Sequence, residues 1–327
     1  MRIVINGFGR IGRTVLRQVL SLPEKDAIEV VRINDIASLE TCAYLFKYDS
    51  VFGPWPGEVS AGNGTLTIDG REIVFSAEAD LSVLDLAGVD VVMECTGKAD
   101  TREIAERGLM GGATNVLISG PSEGADITLV LGANEHEMDG HRIVSNGSCT
   151  TNALAPLLRG LDDAIGVKSG HMTTIHCYTG SQPMVDAPRG PLERSRAGGV
   201  SMVPTTTSAT KLVGVVLPQL AGKVSGAAVR VPSISVSAVD LTVTLAQPVE
   251  APFNDRLLEI FSGNPVIGFI NDHVVSTDMR ARPESLVIHL PETLEANAHQ
   301  VRIFGWYDNE WGFSARMIDM ARLMAAR

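Results

Sequence analysis

Apolar residues follow two different rhythms along the chain. Before Cys149, short and nearly continuous apolar runs alternate with stretches of helical spacing. Ile3-Val4-Ile5 is followed by Val15, Leu16, Val19 and Leu20, and further runs lie at Ile28 to Ile33, Val89 to Cys95 and Asn115 to Ile118. Runs of that kind suit strands buried on both faces, and helical stretches between them supply crossovers, so a doubly wound parallel sheet is predicted. Leu66 to Phe75 reads as a hairpin turning at Asp69-Gly70, and Thr101 to Met110 as a helix ending at Gly111-Gly112.

After Cys149 the rhythm becomes alternating. Strands are expected at Ser169 to Cys177, Ala227 to Val231 and Ser235 to Ala246, the last with Val239, Leu241, Val243 and Leu245 on one face. A helix is expected from Ala209 to Leu220, and another from Ser314 to Arg327, apolar through Met317, Ile318, Met320, Ala321 and Met324. The fold class predicted is α/β: a Rossmann doubly wound parallel sheet plus an α+β substrate domain with a mostly antiparallel sheet. The expected division is 1–148, completed by 314–327, and 149–313.

The length of 327 residues fits two domains. A formal net charge of -11 argues against nucleic acid or an anionic membrane as the main partner and favours a small-molecule role. No apolar run is long enough to span a membrane, and the chain enters its first strand at once, so a cytoplasmic protein is expected. The four cysteines, Cys42, Cys95, Cys149 and Cys177, are too widely spaced for a disulfide framework or a zinc site, and no metal is expected. Cys95 lies inside an apolar run and reads as core.

Gly7-Phe8-Gly9-Arg10-Ile11-Gly12 directly follows the first strand and opens a helix, the setting in which GxGxxG cradles a pyrophosphate. Asp35, at the end of the second strand, is placed to accept from adenosine ribose hydroxyls and to repel a 2′-phosphate, which favours NAD over NADP; it also suits a plain turn. Thr96 and Ser119 follow the carboxyl ends of two further strands and are candidate cofactor contacts, or loop residues.

Ser148-Cys149-Thr150-Thr151-Asn152 sets a thiol where strand, turn and helix meet. A helix start favours thiolate and is expected to lower the cysteine pKa, while Pro156 is expected within a first helical turn. His176 ends a strand and is the candidate base, with Cys177 on the opposite face as core. Thr179, Ser181, Arg189, Arg194, Arg196, the run Thr205-Thr206-Thr207-Ser208 and Arg230 provide hydroxyls and guanidinium groups enough for two phosphate sites; singly, each also suits a cap or a solvated surface.

Taken together, Asn6 to Arg13, Asn34-Asp35, Tyr48-Asp49-Ser50, Glu94-Cys95-Thr96-Gly97, Ser148 to Asn152, Arg194-Ser195-Arg196-Ala197, Arg230-Val231-Pro232 and Trp306 to Gly312 closely resemble the phosphorylating glyceraldehyde-3-phosphate dehydrogenases over essentially the full chain. The resemblance implies that Cys149 attacks an aldehyde, His176 takes its proton, hydride passes to NAD, and inorganic phosphate releases the thioester as an acyl phosphate. It places Thr179 and Arg230 on the substrate phosphate, Ser148, Thr150, Arg194, Thr207 and Ser208 around the attacking phosphate, and Asn309 on the nicotinamide carboxamide. It also implies a homotetramer. Ser181, Ser208, Ala99 and Phe313 depart from the family pattern. Phe313, Tyr178-Thr179 and Ser233 to Asp240 look similar to erythrose-4-phosphate dehydrogenase, which releases its thioester to water. The altered phosphate residues leave a non-catalytic NAD- or RNA-binding regulator as a third reading.

Overall fold

The computed structural model describes residues 1–21, 23, 28–249 and 252–326. Arg327, the end of the expected last helix, lies outside them. The described chain divides into two compact units: Met1–Leu129 with His136–Gly147 and Ser314–Arg327, and Val130–Glu135 with Ser148–Phe313.

In the first unit the chain runs β1 (Arg2–Asn6), α1 (Arg10–Ser21), β2 (Glu29–Asn34), α2 (Leu39–Lys47), β3 (Val59–Gly62), β4 (Thr65–Ile68), β5 (Arg71–Ser76), β6 (Val91–Glu94), α3 (Arg102–Ala105), α4 (Arg107–Met110), β7 (Asn115–Ile118), β8 (Ile127–Thr128) and β9 (Ile143–Ser145). The sheet order is β3-β4-β5-β2-β1-β6-β7-β9-β8. From β5 to β8 the neighbours are parallel, and β3 and β4 extend the edge antiparallel. The hairpin turns with positive φ at both Asp69 (49°) and Gly70 (79°), the backbone a tight two-residue connection requires. The central strands are apolar because both faces are covered: Ile3, Val4, Ile5, Val91, Val92 and Met93 are fully buried.

Thr101 to Met110 is two short helices rather than one, hinged at Glu106. The bend brings Gly108 against the sheet, where a Cβ would stand 2.8 Å from a Val116 methyl and 3.1 Å from one of Val92. Packing on the sheet outweighs helix continuity there.

In the second unit the order is α5 (Cys149–Ile165), β10 (Val167–Cys177), β11 (Val203–Thr205), α6 (Ala209–Val216), β12 (Val224–Val231), β13 (Ser237–Leu245), α7 (Phe253–Ile260), β14 (Ile267–Ile270), β15 (Leu286–His289), β16 (Leu294–Asn297) and β17 (Gln300–Tyr307); α8 (Trp311–Ala325) begins here and lies in the first unit from Ser314 on. Its sheet, β11-β12-β10-β13-β17-β15-β14 with β16 beside β17, is antiparallel among the described residues except at β10–β12 and β14–β15. Alternation is visible in β13, where Val239, Leu241, Val243 and Leu245 are fully buried beneath α5 and α7 while Thr242 faces out. The helix expected from Ala209 to Leu220 stops at Val216, because Pro218 starts a separate short turn.

Pro156 corrects the expectation that it would occupy a first turn, since α5 starts seven residues earlier and runs through it. An interior proline removes one backbone bond and costs about 3 kcal/mol. Burial of Leu154, Leu157, Leu158 and Leu161 on the same helix outweighs that loss. Among the described residues no helix is long and apolar enough to cross a membrane, and no group of His, Cys, Asp and Glu is arranged to hold a metal ion.

Candidate active site

In the first unit the carboxyl ends of β1, β2 and β6 open onto a cleft of about 340 Å³, and four expected cofactor contacts line it: Gly7, Gly9, Asp35 and Thr96. Gly7 has φ +88°, and a Cβ there would stand 2.6 Å from the Thr96 nitrogen; one at Gly12 would stand 2.2 Å from the Gly7 carbonyl oxygen. Gly9 faces open space, the room a pyrophosphate needs. The first internal bond of α1 runs from Arg13 N–H to the Gly9 carbonyl at 3.1 Å, so the positive end of the helix opens at this turn. Asp35 accepts the Phe8 N–H at 2.6 Å and the Ala37 N–H at 2.8 Å, one on each oxygen, and each oxygen keeps a lone pair for a hydroxyl. A dinucleotide fits this frame.

Three expected contacts sit differently. The Arg10 guanidinium is 2.5 Å from Asp49, which also accepts the N–H groups of Val51 and Phe52, so this side chain braces the glycine turn. Ile11 occupies the first turn of α1. Ser119 is outside the cleft lining, with its N–H donating to the Glu94 carbonyl at 2.9 Å.

Sequence reasoning missed the floor of the cleft. Glu94, nearly fully buried, accepts from the Asn6 amide and from both the N–H and the hydroxyl of Thr96, and the Asn6 oxygen accepts from Asn34 at 2.8 Å. Burial raises the Glu94 pKa, with Thr96 and Asn6 opposing. The available signal was polar residues ending three apolar strands. Cys95 is likewise corrected: β6 stops at Glu94, and Cys95 lines the cleft as a half-buried residue, its thiol pushed up to about 12 by desolvation and by Glu94.

In the second unit Cys149 is the first residue of α5. Ser148 caps the helix, its hydroxyl accepting the Thr151 N–H at 3.0 Å, and the Asn152 amide donates to the Ser148 carbonyl at 3.0 Å. Cys149 Sγ lies 3.6 Å from His176 Nε2. Thr150 and Thr174 each share a 2.8 Å bond with the Tyr307 hydroxyl, whose ring stands edge-on to His176 at 6.1 Å. Tyr307, unforeseen from sequence, thus ties the cysteine helix to the histidine strand.

The expectation of a lowered Cys149 pKa does not hold for the free protein. Burial raises it, and the hydroxyl and N–H of Thr150 together with the Arg230 charge only partly counter that rise. Burial and Arg230 together depress His176 to about 4. Burial thus acts against charge on both groups in the free protein.

His176 Nδ1 has two claimants. It lies 2.7 Å from the Cys177 carbonyl, which calls for a proton on nitrogen, and 2.8 Å from Arg230 Nη1, which calls for a lone pair; Arg230 Nη1 also donates to that carbonyl at 3.0 Å. The pairing follows from register, since His176 and Arg230 are opposite each other on parallel β10 and β12. Burial lowers the Arg230 pKa, and Arg194 lowers it further. Two guanidinium groups acting on each other in a partly buried site favour an anion between or beside them.

The remaining anion candidates fall into two groups. Thr179 and Ser181 share a 2.9 Å bond just past β10. Arg194 donates to the Thr205 hydroxyl at 2.8 Å and the Thr206 carbonyl at 3.3 Å, Thr207 accepts the Ala209 N–H at 3.1 Å, and Ser208 heads α6 without a side-chain cap bond. Arg189 and Arg196 go elsewhere: Arg189 N–H donates to the Ser195 hydroxyl, and Arg196 pairs with Asp186. Cys177 is fully buried, and its thiol donates to the Asn309 amide oxygen at 3.1 Å.

Comparison with known proteins gives a consistent result. The profile of the C-terminal domain of glyceraldehyde 3-phosphate dehydrogenase matches residues 148–309, and that of its NAD-binding domain matches residues 1–102. The chain is similar to the glyceraldehyde-3-phosphate dehydrogenase of Pseudomonas aeruginosa, at 46% identity covering 100% of this chain and 98% of that protein. It is similar also to those of Xanthobacter flavus and Cereibacter sphaeroides, each at 44% identity with 99% of this chain and 98% of theirs covered.

Proposed function

Because the chain belongs to the glyceraldehyde-3-phosphate dehydrogenase family and is an NAD-dependent dehydrogenase, we propose that it oxidises glyceraldehyde 3-phosphate and captures the product with inorganic phosphate as 1,3-bisphosphoglycerate. The observation that carries this reading is Cys149 Sγ at the head of α5, 3.6 Å from His176 Nε2, with Arg230 and Arg194 at hand for phosphate.

Each group has a definite task. Cys149 adds to the aldehyde carbon as its proton moves to His176 Nε2, giving a hemithioacetal, and the N–H groups at the start of α5 stabilise the developing oxyanion. NAD, when bound, supplies the hydride acceptor. The Gly7–Gly12 turn and Asp35 hold its pyrophosphate and ribose, and Asn309 takes the nicotinamide amide. Loss of hydride leaves a thioester on Cys149, and His176 returns a proton as phosphate displaces the thiol. Thr179 and Arg230 serve the substrate phosphate; Ser148, Thr150, Arg194, Thr207 and Ser208 serve the attacking one.

A homotetramer in the cytoplasm completes the proposal. The support for assembly is the loop before β11, which presents Met184 (92% exposed), Leu192 (87%) and Val200 (81%) to solvent in the single chain, apolar side chains that gain by being covered. The second reading is oxidation of erythrose 4-phosphate with water as the acyl acceptor. Ser208 favours it, since a side chain stands at the head of α6 where the family has a bare N–H for phosphate. Membership of the dehydrogenase family takes the chain out of the non-catalytic class.

NADH formation with each aldehyde, with and without phosphate, decides between the two. Phosphate-dependent oxidation of the triose is the expected result. Phosphate-independent oxidation of the tetrose would transfer the assignment to the second reading.

A further inference from the structure

Three buried side chains on the floor of the first unit's cleft, Asn34, Asn6 and Glu94, are oriented by backbone groups that cannot reverse. The Glu78 N–H can only donate and the Glu78 carbonyl can only accept, so Asn34 presents its amide oxygen to the first at 2.9 Å and its nitrogen to the second at 2.8 Å. The Ser76 hydroxyl adds a 2.9 Å bond to the same Asn34 oxygen. The Asn34 nitrogen also donates to the Asn6 oxygen at 2.8 Å, which turns the Asn6 nitrogen toward Glu94 Oε2. The Thr96 N–H, another fixed donor, reaches Glu94 Oε1 at 2.9 Å. Both carboxyl oxygens are therefore acceptors whatever the last partner does.

That last partner is the Thr96 hydroxyl, the one group here able to point either way, and it donates to Glu94 Oε1. Its oxygen also accepts the Lys98 N–H at 3.2 Å. The turn after β6 has thus used three donors internally, and Thr96, an exposed residue lining the cleft, offers it a lone pair. A lone pair can receive a sugar hydroxyl and gives nothing to a phosphate oxygen. The turn after β1 has the opposite polarity, with the positive end of α1 opening beside Gly9.

We propose that Glu94 is a positioning residue that sorts the cleft by polarity: by accepting the Thr96 hydroxyl it makes the turn after β6 an acceptor for sugar hydroxyls and leaves the pyrophosphate to the glycine turn before α1. This rests on the reading above that the cleft takes the dinucleotide. Burial works against a charge on Glu94, while the Thr96 hydroxyl, the Asn6 amide, the Thr96 N–H and Arg107 work for it.

Glu94→Gln keeps the shape of the side chain and breaks the order of the bonds. Whichever way the new amide turns, its nitrogen meets either the Asn6 nitrogen or the Thr96 N–H, donor against donor. Exchanging the two groups repairs this. In Asn6→Asp combined with Glu94→Gln, the glutamine nitrogen donates to the aspartate, the glutamine oxygen accepts both Thr96 donors, and the second aspartate oxygen accepts Asn34. Net charge is unchanged.

Equilibrium binding of NAD, and of inorganic pyrophosphate through its competition with NAD, tests this without turnover. Glu94→Gln is expected to weaken NAD about tenfold and Thr96→Val about fivefold, as for one or two lost hydrogen bonds. Pyrophosphate is expected to bind both variants as it binds wild type, a split that general loosening of the cleft would not produce. The Asn6→Asp, Glu94→Gln exchange is expected to return NAD to within about twofold of wild type, because the two sites are coupled. Equal losses of NAD and pyrophosphate overturn the proposal, as does unchanged NAD binding in Thr96→Val, which alters an exposed position and forces no buried conflict. An exchange variant that binds NAD as weakly as Glu94→Gln overturns it too, and so does pyrophosphate that fails to compete in wild type. Should Glu94→Gln not fold, Thr96→Val and the exchange variant decide the matter. A wild type that binds no NAD removes the dinucleotide reading of the cleft itself, whereas normal wild-type binding with indifferent variants removes the role of Glu94 alone.

Discussion

At the scale of single residues, the site depends on groups kept away from their ordinary ionisation. His176 has a folded pKa of about 4 against an ordinary 6.5, because protonation would place a second cation in a dry site beside Arg230. The folded pKa is the lower one, so between those two values the unfolded chain binds a proton that the folded chain refuses. Stability should therefore fall as pH drops through that window, by an amount on the order of 3 kcal/mol, and level off below it. Urea midpoints measured across the window for wild type and His176→Gln test this: the variant should lose that part of the slope, and parallel slopes would refute the assignment. Asp35 gives a prediction of a different kind. Both oxygens of Asp35 are anchored by Phe8 and Ala37 in the cleft lining, and if the carboxylate serves the ribose as proposed, Asp35→Ala should weaken NAD binding and narrow the preference over NADP. Fluorescence titration with the two cofactors reads this directly, and equal affinities in wild type would count against it.

At the scale of elements, α5 is the part on which the thiol depends, and Ser148 is the residue that starts it. Its hydroxyl accepts the Thr151 N–H at 3.0 Å and sits 2.7 Å from the Thr151 hydroxyl. Ser148→Ala should cost about 1 kcal/mol, and Ser148→Thr should recover most of it. A shift in urea midpoint for the first and not the second is expected; equal midpoints in all three would show that the cap contributes nothing. This helix also shows how far sequence carries. Its start was legible because strand, turn, cap and thiol are adjacent in the chain. Its passage through Pro156 was not, because what sustains it is the burial of Leu154 to Leu161 against strands far away in sequence. The same division runs through the sites. Gly7, Gly9 and Asp35 announce themselves by local spacing, whereas Glu94 as the floor of the cleft, Asp49 as the anchor of Arg10, and Tyr307 between Thr150 and Thr174 arise from pairings between distant segments that no local pattern encodes. The hinge at Glu106 belongs with them, since Gly108 reveals its purpose only against Val92 and Val116.

At the scale of the whole molecule, bulk charge and surface chemistry pull in different directions. A formal net charge of -11 keeps such chains apart in solution. Yet the segment from Met184 to Met202 exposes Met184, Val185, Leu192, Val200 and Met202, the last still 75% open, and it carries Arg194 within the same loop. Apolar side chains gathered on one loop gain by being covered, at roughly 25 cal/mol per Å² buried, whereas a purely electrostatic association would weaken with salt. Light scattering after size exclusion should therefore give a particle about four times the 34.8 kDa subunit, insensitive to high salt. Leu192→Glu combined with Met202→Glu places charge where the apolar surface must be covered and should shift the particle to smaller species. Because Arg194 sits on that loop and reaches Thr205 and Thr206, dissociation should also raise the KM for inorganic phosphate more than the KM for the aldehyde. A wild-type particle of subunit mass, or a double variant that stays assembled with both KM values unchanged, would show that this loop neither joins subunits nor links assembly to phosphate.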